Sequence, residues 1–395
     1  MNGRLLIVCN AIDDATRLER GIHTDSPAAS RKIFMMARAI RDSGGQVCVV
    51  SLGRGRPDRS GRFFPGSVRR VRGVPVIYMP FSHSAVFSRI ISLVAPIPLL
   101  VRLSSTGGNV ILFYNRMLAY VPTLFVARLL GFRASLDLED GELSSSAWSV
   151  RRTGSRLIKM CFEYLCSGAL LACEALSEQT RIRPLTCYYG TVAAMPTLVD
   201  WAAPQLSVLL GGTVSRDTGA LQLIEAIKIL HREKPPWAAR LRFSITGRGD
   251  CVHMLAALAG TGETPSVDVY GRTGDSDYAA ILARSHVGLA LKPRAGDLAY
   301  STFPSKVVEL ANAGLLVITT DISDVRKVLD SHALYLENGD PRELIDRLRW
   351  TEANRRSAEA VAHAGTRSVR EVCDPDNAGQ RLLDFLMPSS TCSGA

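Results

Sequence analysis

Short apolar runs alternate with longer amphipathic stretches along most of the chain. RLLIVCN, at residues 4–10, reads as a buried strand. A polar loop from Asp13 to Ser26 leads into SRKIFMMARAIRDSG, where Ile33, Met36, Ala37 and Ile40 recur at helical spacing and Gly44 closes the element. QVCVVSL, VPVIYM, NVILFYN and FRASLDL read as further strands, with VPTLFVARLLG a helix between the last two. The second half repeats the theme. LSVLLGG, ARLRFSITGRG, SVDVYGR, SHVGLALKP and LLVITTD are strands; GALQLIEAIKILHRE, DYAAILARS and PSKVVELANAG are helices between them. Strand–helix–strand in this order predicts an α/β fold with parallel, doubly wound sheets. A Pro-marked segment near residues 195–205 divides two Rossmann-like domains, 1–198 and 204–372. A tail, 373–395, is open to crossing back to the first domain. No short-period repeat is present, which argues against a solenoid.

With 395 residues, 47% hydrophobic and 21% charged, the chain is not intrinsically disordered and is too long for one small domain. A classical membrane span is not expected, and in MNGRLLIVCN the run LLIV reads as a first buried strand rather than the core of a secretory signal. The net charge of +10 favours an anionic neighbour. Aromatics make up only 7% and no RNA-binding aromatic motif is present, so nucleic acid is not expected as a partner. Nine scattered cysteines read as reduced cytosolic thiols; Cys161 and Cys166 lack zinc-ligand spacing. The histidines form no recognisable catalytic or metal pattern, and no metal or resident cofactor is expected.

Two segments of the first half carry the basic excess. Residues 54–72 hold Arg54, Arg56, Arg59, Arg62, Arg69, Arg70 and Arg72 around Phe63 and Phe64. They fit a solvated loop or a patch for anionic headgroups. Residues 85–103, AVFSRIISLVAPIPLLVRL, are too broken to span a bilayer and fit a buried helix or an interfacial one.

Candidate chemistry gathers in the second half. In STFPSKVVELANAGLLVITTD (301–321), Pro304 suits the first turn of a helix and Ser301 or Thr302 its cap. The amides of Thr302, Phe303 and Ser305 then suit a phosphate, with Lys306 adding a cation. Glu309, one turn on, suits a ribose diol. An ordinary capped helix with a surface Lys–Glu pair is the alternative. In LLGGTVSRDTGALQLIEAI (209–227), a strand ends at Gly211 and Gly212 before a loop from Thr213 to Thr218. SITGRGD (244–250) is another strand running into a glycine turn, at Gly247 and Arg248. Glycine turns at the C-terminal ends of parallel strands are where nucleotides bind in open α/β sheets.

The order GGTVSRDTGALQLIEAI, FSITGRGD, VDVYGRTGDSDYAAILARSHVGLALKP, STFPSKVVELANAGLLVITTD resembles the donor domain of retaining GT-B glycosyltransferases, closest to family 4, the "glycosyl transferases group 1". The resemblance implies two facing Rossmann-like domains, with a sugar nucleotide on the second and an acceptor on the first. It assigns Glu309 to the donor ribose, the Thr302–Phe303 backbone to the diphosphate, Arg272 to the turn near the nucleobase and Gly212 to the first donor loop. Ser301 stands where the family's first glutamate falls. Thr213 and Thr218 stand where its two loop cations fall, leaving Arg216, Arg248, Lys292 or Lys306 to replace them. On the acceptor side, SLDLEDGELSS (135–145) offers Asp137, Glu139, Asp140 and Glu142, with Asp140 or Glu139 the expected acceptor contact. The alternative is a solvated acidic loop or the start of a helix. GIHTDSPAAS (21–30) resembles the acceptor-side glycine loop through Gly21, Asp25 and Ser26, with His23 as a surface histidine.

The expectation is a retaining glycosyltransferase moving a sugar from a UDP- or GDP-sugar to a glycan or lipid-linked acceptor. By resemblance its setting is surface polysaccharide assembly. It would be cytoplasmic and peripheral on an anionic membrane through residues 54–103. A catalytically weak nucleotide-sugar-binding partner and a sugar-nucleotide epimerase are the alternatives.

Overall fold

The computed structural model describes residues 3–56, 61–139, 150–192, 199–294 and 301–388. In chain order the first part runs β1 (Arg4–Cys9), α1 (Asp14–Glu19), α2 (Pro27–Asp42), β2 (Gln46–Ser51), β3 (Phe63–Phe64), β4 (Ser67–Val71), β5 (Val74–Tyr78), β6 (Phe81–Ser82), α3 (Ala85–Val94), α4 (Ile97–Leu103), β7 (Val110–Tyr114), α5 (Val121–Leu129), β8 (Arg133–Leu138), α6 (Val150–Leu165), β9 (Ala169–Leu171) and β10 (Leu185–Cys187). The second runs β11 (Leu206–Thr213), α7 (Ala220–Glu233), β12 (Leu241–Arg248), α8 (Val252–Ala259), β13 (Ser266–Gly271), α9 (Asp275–Ala283), β14 (Val287–Ala290), α10 (Lys306–Asn312), β15 (Leu316–Thr320), α11 (Val325–Leu329), β16 (Leu334–Leu336), α12 (Pro341–Ala353) and α13 (Arg355–Cys373). A last helix, α14 (Pro375–Leu386), follows.

The chain forms two units, Met1–Thr191 with Pro375–Ala395, and Val192–Asp374. In the first, eight strands run in the order β10-β9-β8-β7-β1-β2-β5-β4. All neighbours are parallel except β4, which turns back antiparallel on β5. Both faces of β7 are covered, as a continuous apolar run requires. Leu112 packs into the cluster that includes α2 and α14, and Phe113 packs edge-on against Phe162 of α6. The α2 helix starts where its sequence says it should. Ser26 accepts a hydrogen bond from the Ala29 amide, Pro27 occupies the first turn, and Ile33, Met36, Ala37 and Ile40 are buried.

The second unit is a six-stranded parallel sheet in the order β13-β12-β11-β14-β15-β16. Counted within the unit this is 3-2-1-4-5-6, the dinucleotide-binding order, and its switch point lies between β11 and β14. The core gathers Leu206, Val208 and Leu210 of β11, Leu223, Ile224 and Ile227 of α7, and Phe243 and Ile245 of β12. Apolar residues at i, i+1 and i+4 of α7 thus meet alternate residues of two strands. The doubly wound α/β architecture read from the sequence is the one observed in both units.

Candidate functional site

The switch point orders the chemistry of the second unit. In register, Gly212 of β11 pairs with Gly247 of β12, and Thr213 with Arg248. Gly212 has φ +102° and Gly247 +121°, both in the region that favours glycine. A Cβ on Gly247 would stand 1.7 Å from the Gly212 carbonyl oxygen, so the two backbones close on each other only because Gly247 is bare. A Cβ on Gly212 would meet Lys306 Cε at 3.0 Å, which places the lysine directly over the first glycine turn. Lys306 Nζ donates to Glu309 Oε2 at 2.6 Å and to the Tyr278 hydroxyl at 3.2 Å, and lies 5.0 Å from the Tyr278 ring centre. The Tyr278 hydroxyl would lie 3.2 Å from a Cβ on Gly211. The structure therefore brings together Gly211, Gly212, Gly247, Lys306 and Glu309. It adds Tyr278, which the sequence reading missed. The tyrosine sits in DYAAILARS on α9, whose spacing marks a helix but not the direction of its fourth residue.

The other expected residues lie around this group. Arg216 and Arg248 are exposed, Arg248 at the end of β12. Arg272 follows β13 immediately, and Lys292 follows β14, with its amide donating to Thr320 Oγ1 at 3.0 Å. All four thus fall at the C-terminal edge of the sheet. Thr213 and Thr218 close the first loop upon itself, since the Thr218 hydroxyl donates to the Thr213 carbonyl at 2.7 Å and accepts from the Ser215 amide at 3.0 Å. Two positions that would hold cations in the family pattern are here occupied by a neutral clasp.

One expectation is corrected. Pro304 is not in the first turn of α10, and Ser301 and Thr302 do not cap it. The helix begins at Lys306, Ser305 is its N-cap, and the Ser305 amide donates to the Phe303 carbonyl at 2.9 Å. Ser305 and Val307, whose amide donates to Pro304, are thus turned into local turns rather than outward. Ser301 and Thr302 are buried, and Phe303 is half-buried. Lys306, bonded to Glu309, is the part of the segment shown against the first glycine turn.

The strand ends of the first unit carry a different arrangement. Lys32 of α2 hydrogen-bonds to Glu139, just past β8, and lies 3.5 Å from Asp137 within it. The Tyr114 hydroxyl at the end of β7 donates to Glu139 Oε2 at 3.4 Å, and Lys32 stands 5.0 Å from the Tyr188 ring centre. Asp137 is fully buried, and its Oδ2 has no hydrogen-bond partner among the described residues. Burial pushes its carboxyl well above the ordinary value, against the pull of the Lys32 ammonium. Lys32 is pushed up by the two carboxylates, against its own desolvation. Asp140 and Glu142 lie outside the described residues. Nearby, Ser26 serves as the α2 cap, while the His23 amide and the Thr24 hydroxyl zip their loop to Arg56. Among the described residues no three His, Cys, Asp or Glu side chains stand close enough to hold a metal ion.

Solved structures align over nearly the whole chain. The E. coli trehalose-6-phosphate protein bound with UDP-2-fluoro glucose does so with a TM-score of 0.64 at 14% identity, covering 98% of this chain and 99% of that one. Anabaena HepE in complex with UDP gives 0.65 at 13% identity, over 97% and 99%. TarM gives 0.69 at 9% identity, over 98% and 99%. No curated protein sequence matches the chain. Two α/β units in this order have the GT-B fold of glycosyltransferases. More narrowly, residues 205–354 match the family described as glycosyl transferases group 1, which covers most of the second unit.

Proposed function

We propose that the protein is a retaining glycosyltransferase that takes its sugar from a UDP- or GDP-sugar held at the strand ends of the second unit. The observation that carries this is the Lys306–Glu309 pair seated over the Gly212–Gly247 turn, at the switch point of a nucleotide-binding strand order. The bare turn admits a diphosphate close to backbone. Lys306 supplies a positive charge there, replacing the cations that Thr213 and Thr218 do not provide. Glu309, with one oxygen on Lys306, offers carboxylate acceptors to the ribose hydroxyls. In transfer the bond from the anomeric carbon to the diphosphate oxygen breaks and one to the acceptor hydroxyl forms. The departing diphosphate takes the acceptor's proton, and Lys306 meets its growing negative charge. The Lys32–Glu139 cluster is the acceptor-side candidate, with a glycan or lipid-linked saccharide as the acceptor class.

The test is release of nucleoside diphosphate by the full chain from UDP- and GDP-sugars, with and without saccharide acceptors. Acceptor-dependent release, lost in Glu309→Ala and Lys306→Met, is expected. Donor binding without release on any acceptor would favour the non-catalytic binding partner. Interconversion of the donor sugar without an acceptor would favour an epimerase.

A further inference from the structure

Between residues 59 and 136 the sequence holds ten arginines, no lysine and no Asp or Glu. The segment contains helices α3, α4 and α5 of the first unit. There α5 packs against α3, α4 and α6, forming a continuous helical layer. It exposes a series of large apolar side chains. Along α3, Phe87, Ile90 and Val94 recur at helical spacing and are 63%, 52% and 52% exposed. On the opposite side of α3, Ser92 is buried and accepts a hydrogen bond from Arg54 at 2.8 Å, which fixes the orientation of the helix. Leu129 on α5 is 85% exposed and Leu157 on α6 58%. Exposed arginines stand among these residues, Arg89 on α3, Arg102 on α4 and Arg128 on α5. Of the basic segment before them, Arg54 is committed to Ser92 and Arg69 to Glu19, while Arg62 and Arg70 are exposed.

An apolar layer of this extent asks for an occupant. A second copy fits poorly, because a two-fold contact would face arginine with arginine, and this segment has no carboxylate to relieve it. Aliphatic and aromatic side chains mixed with guanidinium groups on the same helices match the boundary of an anionic bilayer. There the apolar groups enter the acyl region and the guanidinium groups stay with the phosphates. Residues 85–103 are long and apolar enough to cross a membrane. Yet the segment breaks between α3 and α4 at Pro96, contains Arg89 and Arg102, and buries Ser92 and Leu100 in the unit. It therefore suits lying in the interface rather than crossing it.

We propose that the layer formed by α3, α4, α5 and α6 docks the first unit on an anionic lipid bilayer. This inference is independent of the transfer reaction. Its test is co-sedimentation of the full chain with vesicles of phosphatidylglycerol mixed with phosphatidylcholine, and with phosphatidylcholine alone. Binding to the anionic vesicles at low salt, release at high salt and little binding to the neutral ones are expected. The F87E/I90E double variant should lose about tenfold or more of that binding while melting like the wild type. R89Q/R102Q should weaken it severalfold. The conservative Phe87→Trp should keep it, and its added fluorescence should be quenched by brominated acyl chains. Absence of binding to anionic vesicles, binding unchanged in F87E/I90E, or an unquenched F87W would overturn the proposal. So would a dimer in solution that F87E/I90E dissolves while vesicle binding persists.

Discussion

The two units present their strand ends in opposite ways. The second unit builds its end from backbone, with glycine turns pressed together and one lysine–glutamate pair above them. The first builds its end from charges drawn inward, with Lys32, Asp137 and Glu139 largely out of water. The contrast extends through the interiors. Arg20 is buried in the first unit, with its guanidinium on the Gly53 and Met79 carbonyls, and Arg116 pairs with Glu163. Among the described residues, the buried polar side chains of the second unit are Ser, Thr and His, with Asp324 the one carboxylate. A backbone-built site is intolerant of added atoms, whereas a charge-built site is intolerant of losing a partner.

Substitutions should separate the two, beginning with the largest effect. Gly247→Ala puts a Cβ 1.7 Å from the Gly212 carbonyl oxygen at φ +121°. Strain and overlap together should cost about 4 kcal/mol, and donor binding should fall with stability in thermal melts run with and without nucleotide. Lys32→Met leaves the buried Asp137 and the partly buried Glu139 without their cation and should cost about 3 kcal/mol in denaturant unfolding. Asp137→Asn should cost less, because the amide keeps the shape of a group whose charge burial disfavours. Glu309→Ala should behave in the reverse manner. Stability should change by less than about 1 kcal/mol, since the pair is a half-exposed one within a single helix. Under the proposed donor assignment, affinity should weaken by about 2 kcal/mol, roughly thirtyfold, as carboxylate hydrogen bonds to the sugar nucleotide are removed.

The smallest expected effect concerns pH. His286 Nδ1 lies 3.0 Å from the Ser207 amide, which can only donate to it, so Nε2 carries the hydrogen given to the Asp200 carbonyl at 2.8 Å. Burial holds its pKa below the ordinary 6.5. The unfolded chain therefore binds a proton that the folded one resists. This contribution to stability is present above pH 6.5 and lost as pH falls below it. The melting temperature should drop on acidification from pH 7, and His286→Gln should flatten that slope.

Much of this was legible in the sequence, and for a physical reason. Parallel strands buried on both faces leave apolar runs, and LSVLLGG and LLVITTD locate β11 and β15 directly. The glycine turns were visible because close backbone approach demands a residue type. The start of α10 was not, because Pro304 suits a helix's first turn and a preceding bend equally well. The Lys32–Glu139 pair was invisible. Its members are 107 residues apart, and nothing in SRKIFMMARAI marks one cation as turned inward. Tyr278 was missed on similar grounds, since it reaches Lys306 from another helix.

Binding of a nucleoside diphosphate to the second unit tests the account most directly. Melting of the full chain can be followed with UDP and with GDP, for the wild type and for Glu309→Ala. One of the two nucleotides should stabilise the wild type by about 2.7 kcal/mol at one hundred times its Kd, and markedly less in the variant. No stabilisation by either nucleotide, or equal stabilisation of both proteins, would contradict the assignment of Lys306 and Glu309 to the donor.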